Sequence, residues 1–247
     1  MDYVILLGAF APVLILMNYI YKKDVHKEPY FELGKVFFIS FVATVPVGII
    51  ELILGFFIPT EVETTGAGVG LFVNTFIGIA VIEEVCKWLS VRFANYNNKH
   101  FDETYDAIVY ATFSALGFAA CENLSYVYSC MNQGVALGFL TIIMRFITSV
   151  PGHCFFGVLM GYYFAKAKAA QVRGDNKAER KNLIFSILSP ALAHAIFDYL
   201  LIVGTNNAFL IWILFVIVFY IISIKLIKNA SKNNVLYGQV ANTNDKI

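Results

Sequence analysis

Residues 69–91 read VGLFVNTFIGIAVIEEVCKWLSV. From Val69 to Ile82 no position carries a charge. The whole run has the length that crosses a hydrocarbon core as a helix, for which about 20 predominantly apolar residues suffice. It lacks the strict alternation of a barrel strand. Backbone in lipid must satisfy its own hydrogen bonds, which leaves the helix. Into this helix the sequence places Glu83, Glu84 and Lys87. An ionisable group at the bilayer centre costs at least about 2.5–3.5 kcal/mol, so such residues pair, line a cavity or do chemistry.

The rest of the 247-residue chain repeats the pattern. It is 59% apolar and 14% charged, against about 25% charged in soluble domains. Further apolar blocks run over about 3–21, 33–58, 105–128, 183–203 and 208–227. The stretch 134–165 is long for one span and short for two, and Pro151-Gly152 marks a break in it. The expected fold is therefore all-α, a polytopic transmembrane bundle of about seven spans, with eight as the alternative. A broken or re-entrant helix is expected near 134–152. One membrane domain covers 1–228, and the polar segment 229–247 is expected to be disordered.

Lys and Arg concentrate after the first and third blocks and at Lys166, Lys168, Arg173, Lys177, Arg180 and Lys181. The positive-inside rule puts those loops in the cytoplasm, the N-terminus outside and the C-terminus inside. Met1-Asp2-Tyr3 lacks a basic n-region, so the first block is expected to be a retained span. The net charge of +1 gives no reason to expect a nucleic-acid partner. The four cysteines show no disulfide-framework spacing and are expected as free, packed thiols.

Four polar clusters interrupt the apolar blocks. In the first, Glu83 and Lys87 are four apart on one helix face, with Glu84 rotated about 100° away. One carboxylate can be held by the lysine while the other stays free. The structural alternative is a rim pair with Lys87 snorkelling to water. The second cluster sets Glu122 one turn after Phe118, deep in the fourth block. In the third, His153 follows the Pro151-Gly152 break, and in the fourth His194 and Asp198 share a helix face. Asp106 opens the fourth block and is expected to have a structural role there. Glu51 and Arg145 stand singly in apolar stretches, and the sequence alone assigns them no role.

Carboxylates and imidazoles on four helices suit activation of water. A Glu in an apolar site with a nearby His acts as a general base: Glu83 or Glu84 would bind the water beside Glu122 and His153, while His194 and Asp198 hold or polarise the scissile carbonyl. Two histidines and a carboxylate also make a catalytic zinc set, in which His153, His194 and Glu122 would be the ligands. No Gly-x-Ser-x-Gly elbow, phosphate loop or His-Glu-x-x-His signature occurs. A proton-coupled transporter and a non-catalytic scaffold are the competing classes. The first would need paired broken helices, and only one break is evident.

The ordered set Glu83-Glu84-x-x-Lys87, Phe118-x-x-x-Glu122, Pro151-Gly152-His153 and His194-Ala195-x-x-Asp198 resembles the PrsW family of membrane proteases, distant relatives of the CAAX prenyl endopeptidase superfamily. The likeness covers about residues 82–201. That superfamily's CAAX branch carries Glu-Glu-x-x-x-Arg, and a His where this chain has Glu122. Many relatives carry Asn where this chain has Asp198. The resemblance implies a glutamic-type endopeptidase in a bacterial cell membrane. Its substrate would be a membrane-anchored regulatory protein such as an anti-sigma factor, cut in a first (site-1) step. Catalytic roles would fall on Glu83, Glu84, Glu122, His153, His194 and Asp198, with Lys87 and Phe118 in support. No cofactor is expected on this reading, and zinc is the alternative. The topology leaves a tension, because it sets Glu83 toward the cytoplasmic end of its helix and Glu122 and His153 toward the outer side.

Overall fold

A computed structural model describes residues 2–240. The helices are α1 (Asp2–Lys23), α2 (Tyr30–Gly55), the one-turn α3 (Val62–Thr65), α4 (Val69–Thr75), α5 (Val81–Ala94), α6 (Asp106–Gln133), α7 (Val135–Ile147), α8 (Ser149–Val172), α9 (Asn176–Val203), α10 (Asn206–Lys232) and the one-turn α11 (Tyr237–Val240). A π-helical turn, Phe76–Ala80, joins α4 to α5. Among the described residues, the β-structure consists of an isolated bridge between Glu103 and Leu236. Seven helical stretches are long and apolar enough to span a membrane, α4–α5 and α7–α8 counting as one each. The bundle is the expected all-α polytopic one, and the break takes the form of a broken span. It falls at Thr148, with φ −123°, three residues before Pro151. Proline is accommodated there in the first turn of α8, where a missing N–H disrupts no helical bond.

The outer faces suit lipid. Phe38, Val42, Val45, Ile49 and Leu52 form an exposed stripe along α2, and Leu210, Leu214, Ile217 and Ile221 form one along α10. The spacing of three and four is the helix period. Continuous apolar stripes of this kind are rare on soluble monomers.

Helix α6 is the axis of the bundle, with every residue from Asp106 to Ala120 buried. Small residues make this possible. A Cβ on Gly117 would lie 2.2 Å from the Phe37 carbonyl oxygen of α2. On α8, a Cβ on Gly157 would meet Ala111 O at 2.9 Å, and one on Gly161 would meet Ile108 Cα at 2.5 Å. Gly157 and Gly161 form a Gly-x-x-x-Gly pair, a device for close approach of helices in lipid. Gly161→Val is expected to force α8 off α6. The cost should be at least the about 1–3 kcal/mol typical of overpacking, because the obstacle is backbone. Thermal unfolding in detergent would show a lowered midpoint, and an unchanged midpoint would refute the contact.

One end of the bundle is tied together by polar segments. Tyr237 N donates to Asp102 O at 2.7 Å, and Thr104 N to Val235 O at 3.0 Å. His26 Nδ1 meets Glu103 Oε1 at 2.5 Å. Lys168 Nζ reaches Tyr96 O at 2.9 Å, and Tyr96 OH lies 3.4 Å from Glu179. The loops after the first and third spans, the basic loop and the C-terminal segment thus share one end, as seven crossings require. Asp106 accepts from the amides of Asp102 at 3.0 Å and Glu103 at 2.6 Å, closing the loop that enters α6. In the loop after α1, burial pushes the Asp24 carboxyl up to about 6 and the Glu28 carboxyl up to about 7. Tyr110 donates a hydrogen bond to Glu28.

The segment from 229, expected to be disordered from its polar composition, is helical to Lys232 and held through Val240. Its few apolar residues explain this. Tyr237 is buried and stacks on Phe101 with the rings 3° from parallel, and Val240 is buried. Residues 241–247 of that segment lie outside the described residues.

Candidate active site

The π turn sits just ahead of Glu83, and such turns concentrate at functional sites. On α5 both acids reach one ammonium. Lys87 Nζ lies 3.0 Å from Glu83 Oε2 and 2.7 Å from Glu84 Oε1. The expectation that one acid is held and the other left free is therefore corrected. A residue three and one four positions before the lysine both flank its side chain. The snorkelling alternative also fails, since Lys87 and Glu84 are 0% exposed. Lys87 Nζ further meets His153 Nδ1 at 3.0 Å and lies 4.4 Å from the centre of the Phe118 ring. An ammonium has only donors, so Nδ1 accepts there. Ser114 donates to Lys87 O at 2.9 Å, and Trp88 to Ser186 at 2.8 Å, fixing α5 against α6 and α9.

With Nδ1 accepting, His153 Nε2 carries the proton and donates to Glu122 Oε2 at 2.8 Å. The same carboxylate oxygen accepts from Arg145 Nη2 at 2.9 Å, while Arg145 Nε donates to Asn123 Oδ1 at 2.7 Å. Asn123 in turn donates to Ala9 O at 2.8 Å. Arg145 lies eleven residues beyond Gly134, and Glu122 lies eleven before Gln133. Their pairing sets α7 antiparallel beside α6 and carries α7 down to the depth of the site. Sequence reasoning left Arg145 without a role. The signal was present: an arginine in an apolar stretch needs a counter-charge, and Glu122 had been given no cation.

His194 Nδ1 lies 3.0 Å from Glu84 Oε1, and its Nε2 lies 3.3 Å from Asp198 Oδ2. The expected His194–Asp198 pair is present, one turn apart on α9. The Phe156 ring stacks on His194 at 4.7 Å, and the two imidazoles are 5.2 Å apart. Glu83, Glu84, Glu122, His153, His194 and Asp198 thus converge from α5, α6, α8 and α9. The depth tension disappears because α5 extends eleven residues beyond Glu83. Glu83, Glu122, His153, His194 and Asp198 line one cavity of about 760 Å³, and Phe118, Arg145 and Glu51 share its wall. Glu84 and Lys87 lie behind that wall.

The sequence of the chain is matched by known proteins. Residues 28–224 match the model of a family described as PrsW family intramembrane metalloprotease. The chain belongs to the PrsW family. A protein named Protease PrsW from Oceanobacillus iheyensis is 33% identical over 232 residues, covering 94% of this chain and 98% of that one. A Protease PrsW from Clostridioides difficile is 34% identical over 218 residues, covering 87% of each chain. The Protease PrsW of Bacillus subtilis is 31% identical over 220 residues, covering 89% of this chain and 90% of its own. No solved structure matches the chain. Membership in the PrsW family makes this an integral membrane protease, a hydrolase, and sets aside the transporter and scaffold classes.

The PrsW family description includes a metal, and the residues present fit one. Ligand atoms from Glu83, Glu84, His153 and His194 all lie within 4.8 Å of one another. Two imidazoles with carboxylates form a zinc-binding donor set. Glu84 Oε2 is buried with no hydrogen-bond partner among the described residues. Of the ligand set read from sequence, His153 and His194 belong to this cluster of donor atoms and Glu122 does not. Glu122 sits on the outer nitrogen of His153, where a carboxylate orients an imidazole, and the carboxylates of the cluster are Glu83 and Glu84. Lys87 Nζ rests on three of these four residues. An ammonium and a metal would therefore compete for the same lone pairs.

Proposed function

We propose that this protein is a single-domain endopeptidase of a bacterial cell membrane. It cuts membrane-tethered regulatory proteins, anti-sigma factors being the substrate class, by a water that Glu83 activates. The observation that carries this reading is the cavity. It gathers four carboxyl groups, two imidazoles and a fixed guanidinium from separate helices into one space large enough for an extended peptide segment.

Glu83 faces the cavity while Glu84 is sealed behind it, so Glu83 is the base. It takes a proton from water as the water oxygen bonds to the scissile carbonyl carbon. The proton then passes to the leaving nitrogen as the C–N bond breaks. Lys87, held by Glu84, fixes Glu83. Glu122, clamped by Arg145, fixes His153 beside the water. His194, backed by Asp198, polarises the carbonyl oxygen, where electrostatic stabilisation of the developing oxyanion is worth most. The N-terminus lies outside and the C-terminus in the cytoplasm, as the basic loops gathered at one end support.

The second reading is a zinc enzyme, favoured by the donor set. Glu83, Glu84, His153 and His194 would hold the ion, which would supply a more acidic water and a polarised carbonyl. Elemental analysis of the purified protein and of His153→Ala, alongside cleavage of a membrane-anchored reporter with and without chelator, decides between them. The glutamate mechanism predicts that cleavage survives chelation in metal-free protein and falls by about 10²-fold or more in His153→Ala. Stoichiometric zinc that is lost in His153→Ala, with chelator-sensitive cleavage, would establish the zinc enzyme instead.

A further inference from the structure

Glu51 stands on α2, one turn before its end at Gly55, and lines the same cavity as the candidate catalytic residues. The three other acids on that wall each have a cation of this chain or a potential one. Glu83 has Lys87 at 3.0 Å, Glu122 has Arg145 at 2.9 Å, and Asp198 has His194 at 3.3 Å. Glu51 has no ion pair or hydrogen bond among the described residues, and its Oε1 is buried. Glu51 is half-buried, and a carboxyl oxygen taken out of water is unfavourable unless something hydrogen-bonds to it or offsets its charge. The cations of the site are already committed, so the complement has to come from what enters the cavity. Leu201, Ile202 and Trp212 line the same space. Leu201, Ile202 and the ring carbons of Trp212 can enclose the methylene stem of a long side chain, although Trp212 Nε1 is itself buried without a partner among the described residues.

We infer that Glu51 is a specificity residue that receives a basic side chain, lysine or arginine, of the substrate near the scissile bond. The inference rests on the protease reading above. The carboxyl contributes through a charge-assisted hydrogen bond in a poorly solvated space, where such bonds are strongest. A substrate lacking the basic group leaves the buried Glu51 Oε1 without a partner. A site built to bond a polar group discriminates against its absence far more sharply than an apolar pocket discriminates against a missing methylene.

The test uses the full-length protein in proteoliposomes with a membrane-anchored reporter. Each position flanking the cleaved bond is set in turn to Lys, Leu or Glu, and kcat/KM is measured for wild type, Glu51→Gln and Glu51→Lys. At one flanking position wild type is expected to prefer Lys to Leu by about tenfold or more, as polar recognition predicts. That ratio should fall to about twofold or less in Glu51→Gln, and Glu51→Lys should prefer Glu, since specificity follows charge complementarity. The isosteric Gln variant keeps the test open if the Lys variant does not fold. A profile that is the same in wild type and Glu51→Gln overturns the inference while leaving the protease reading intact. Reporter cleavage that persists in Glu83→Gln overturns the catalytic assignment itself, whatever the profile.

Discussion

Glu83→Gln is expected to lower cleavage of a membrane-anchored reporter by about 10²–10⁴-fold, the range spanned by removal of a general base, and to leave the folded protein near its wild-type level. Glu84→Gln is expected to behave differently. Glu83 lines the cavity and shares Lys87 with its neighbour, so an uncharged side chain of the same shape still leaves Lys87 facing Glu84. Glu84 is fully buried and touches both Lys87 at 2.7 Å and His194 at 3.0 Å. Removing its charge strips a counter-ion from two groups in a dry interior. Breaking a buried pair on one side costs about 3–5 kcal/mol. Thermal unfolding and cleavage should therefore separate the two acids: activity lost with fold retained at Glu83, and activity lost with a lowered unfolding midpoint at Glu84. The reverse pattern, with Glu84→Gln stable but inactive and Glu83→Gln active, would move the base to Glu84.

The membrane fold was legible because lipid imposes a severe rule on the backbone, and spans such as 69–91 declare themselves by length alone. The four polar clusters were legible for the same reason. Glu83, Glu122, His153 and His194 sit where an ionisable group is costly, and the structure brings them together. What the sequence could not convey was which groups share a partner. Helical spacing placed Glu83 and Lys87 on one face, yet Lys87 also takes Glu84 and reaches across to His153 on α8. Such a contact depends on how α5, α6 and α8 pack, and that depends on Gly157 and Gly161 admitting the α6 backbone. Arg145 and Glu51 looked solitary along the chain because their surroundings come from other helices. Of the segment 229–247, expected from composition to be disordered, the described part, 229–240, is held in place, since two buried anchors, Tyr237 and Val240, outweigh its polar residues.

Lys87→Met is expected to have the largest effect on stability of any single change at the site. Methionine fills a similar volume, so the effect isolates the charge. The ammonium is 0% exposed, bridges Glu83, Glu84 and His153, and lies against the Phe118 ring. Its loss leaves two adjacent carboxylates and an imidazole lone pair facing one another without the ammonium that bridged them, a loss of about 3–5 kcal/mol by analogy with broken buried pairs. The same variant also tests the two chemistries. The groups it exposes to one another are three of the four donors that suit a divalent metal. Added zinc should therefore raise the unfolding midpoint of Lys87→Met, by an amount equivalent to about 2.7 kcal/mol at a free concentration 100-fold above Kd. If zinc raises the midpoint of Lys87→Met and leaves wild type unchanged, lysine occupies the metal's place in the working enzyme, and catalysis proceeds from the carboxylates. If zinc stabilises both equally, Lys87 yields to the ion, and the zinc mechanism gains the stronger claim. An unfolding midpoint in Lys87→Met equal to wild type without metal would show that the ammonium is not what holds α5 to α8.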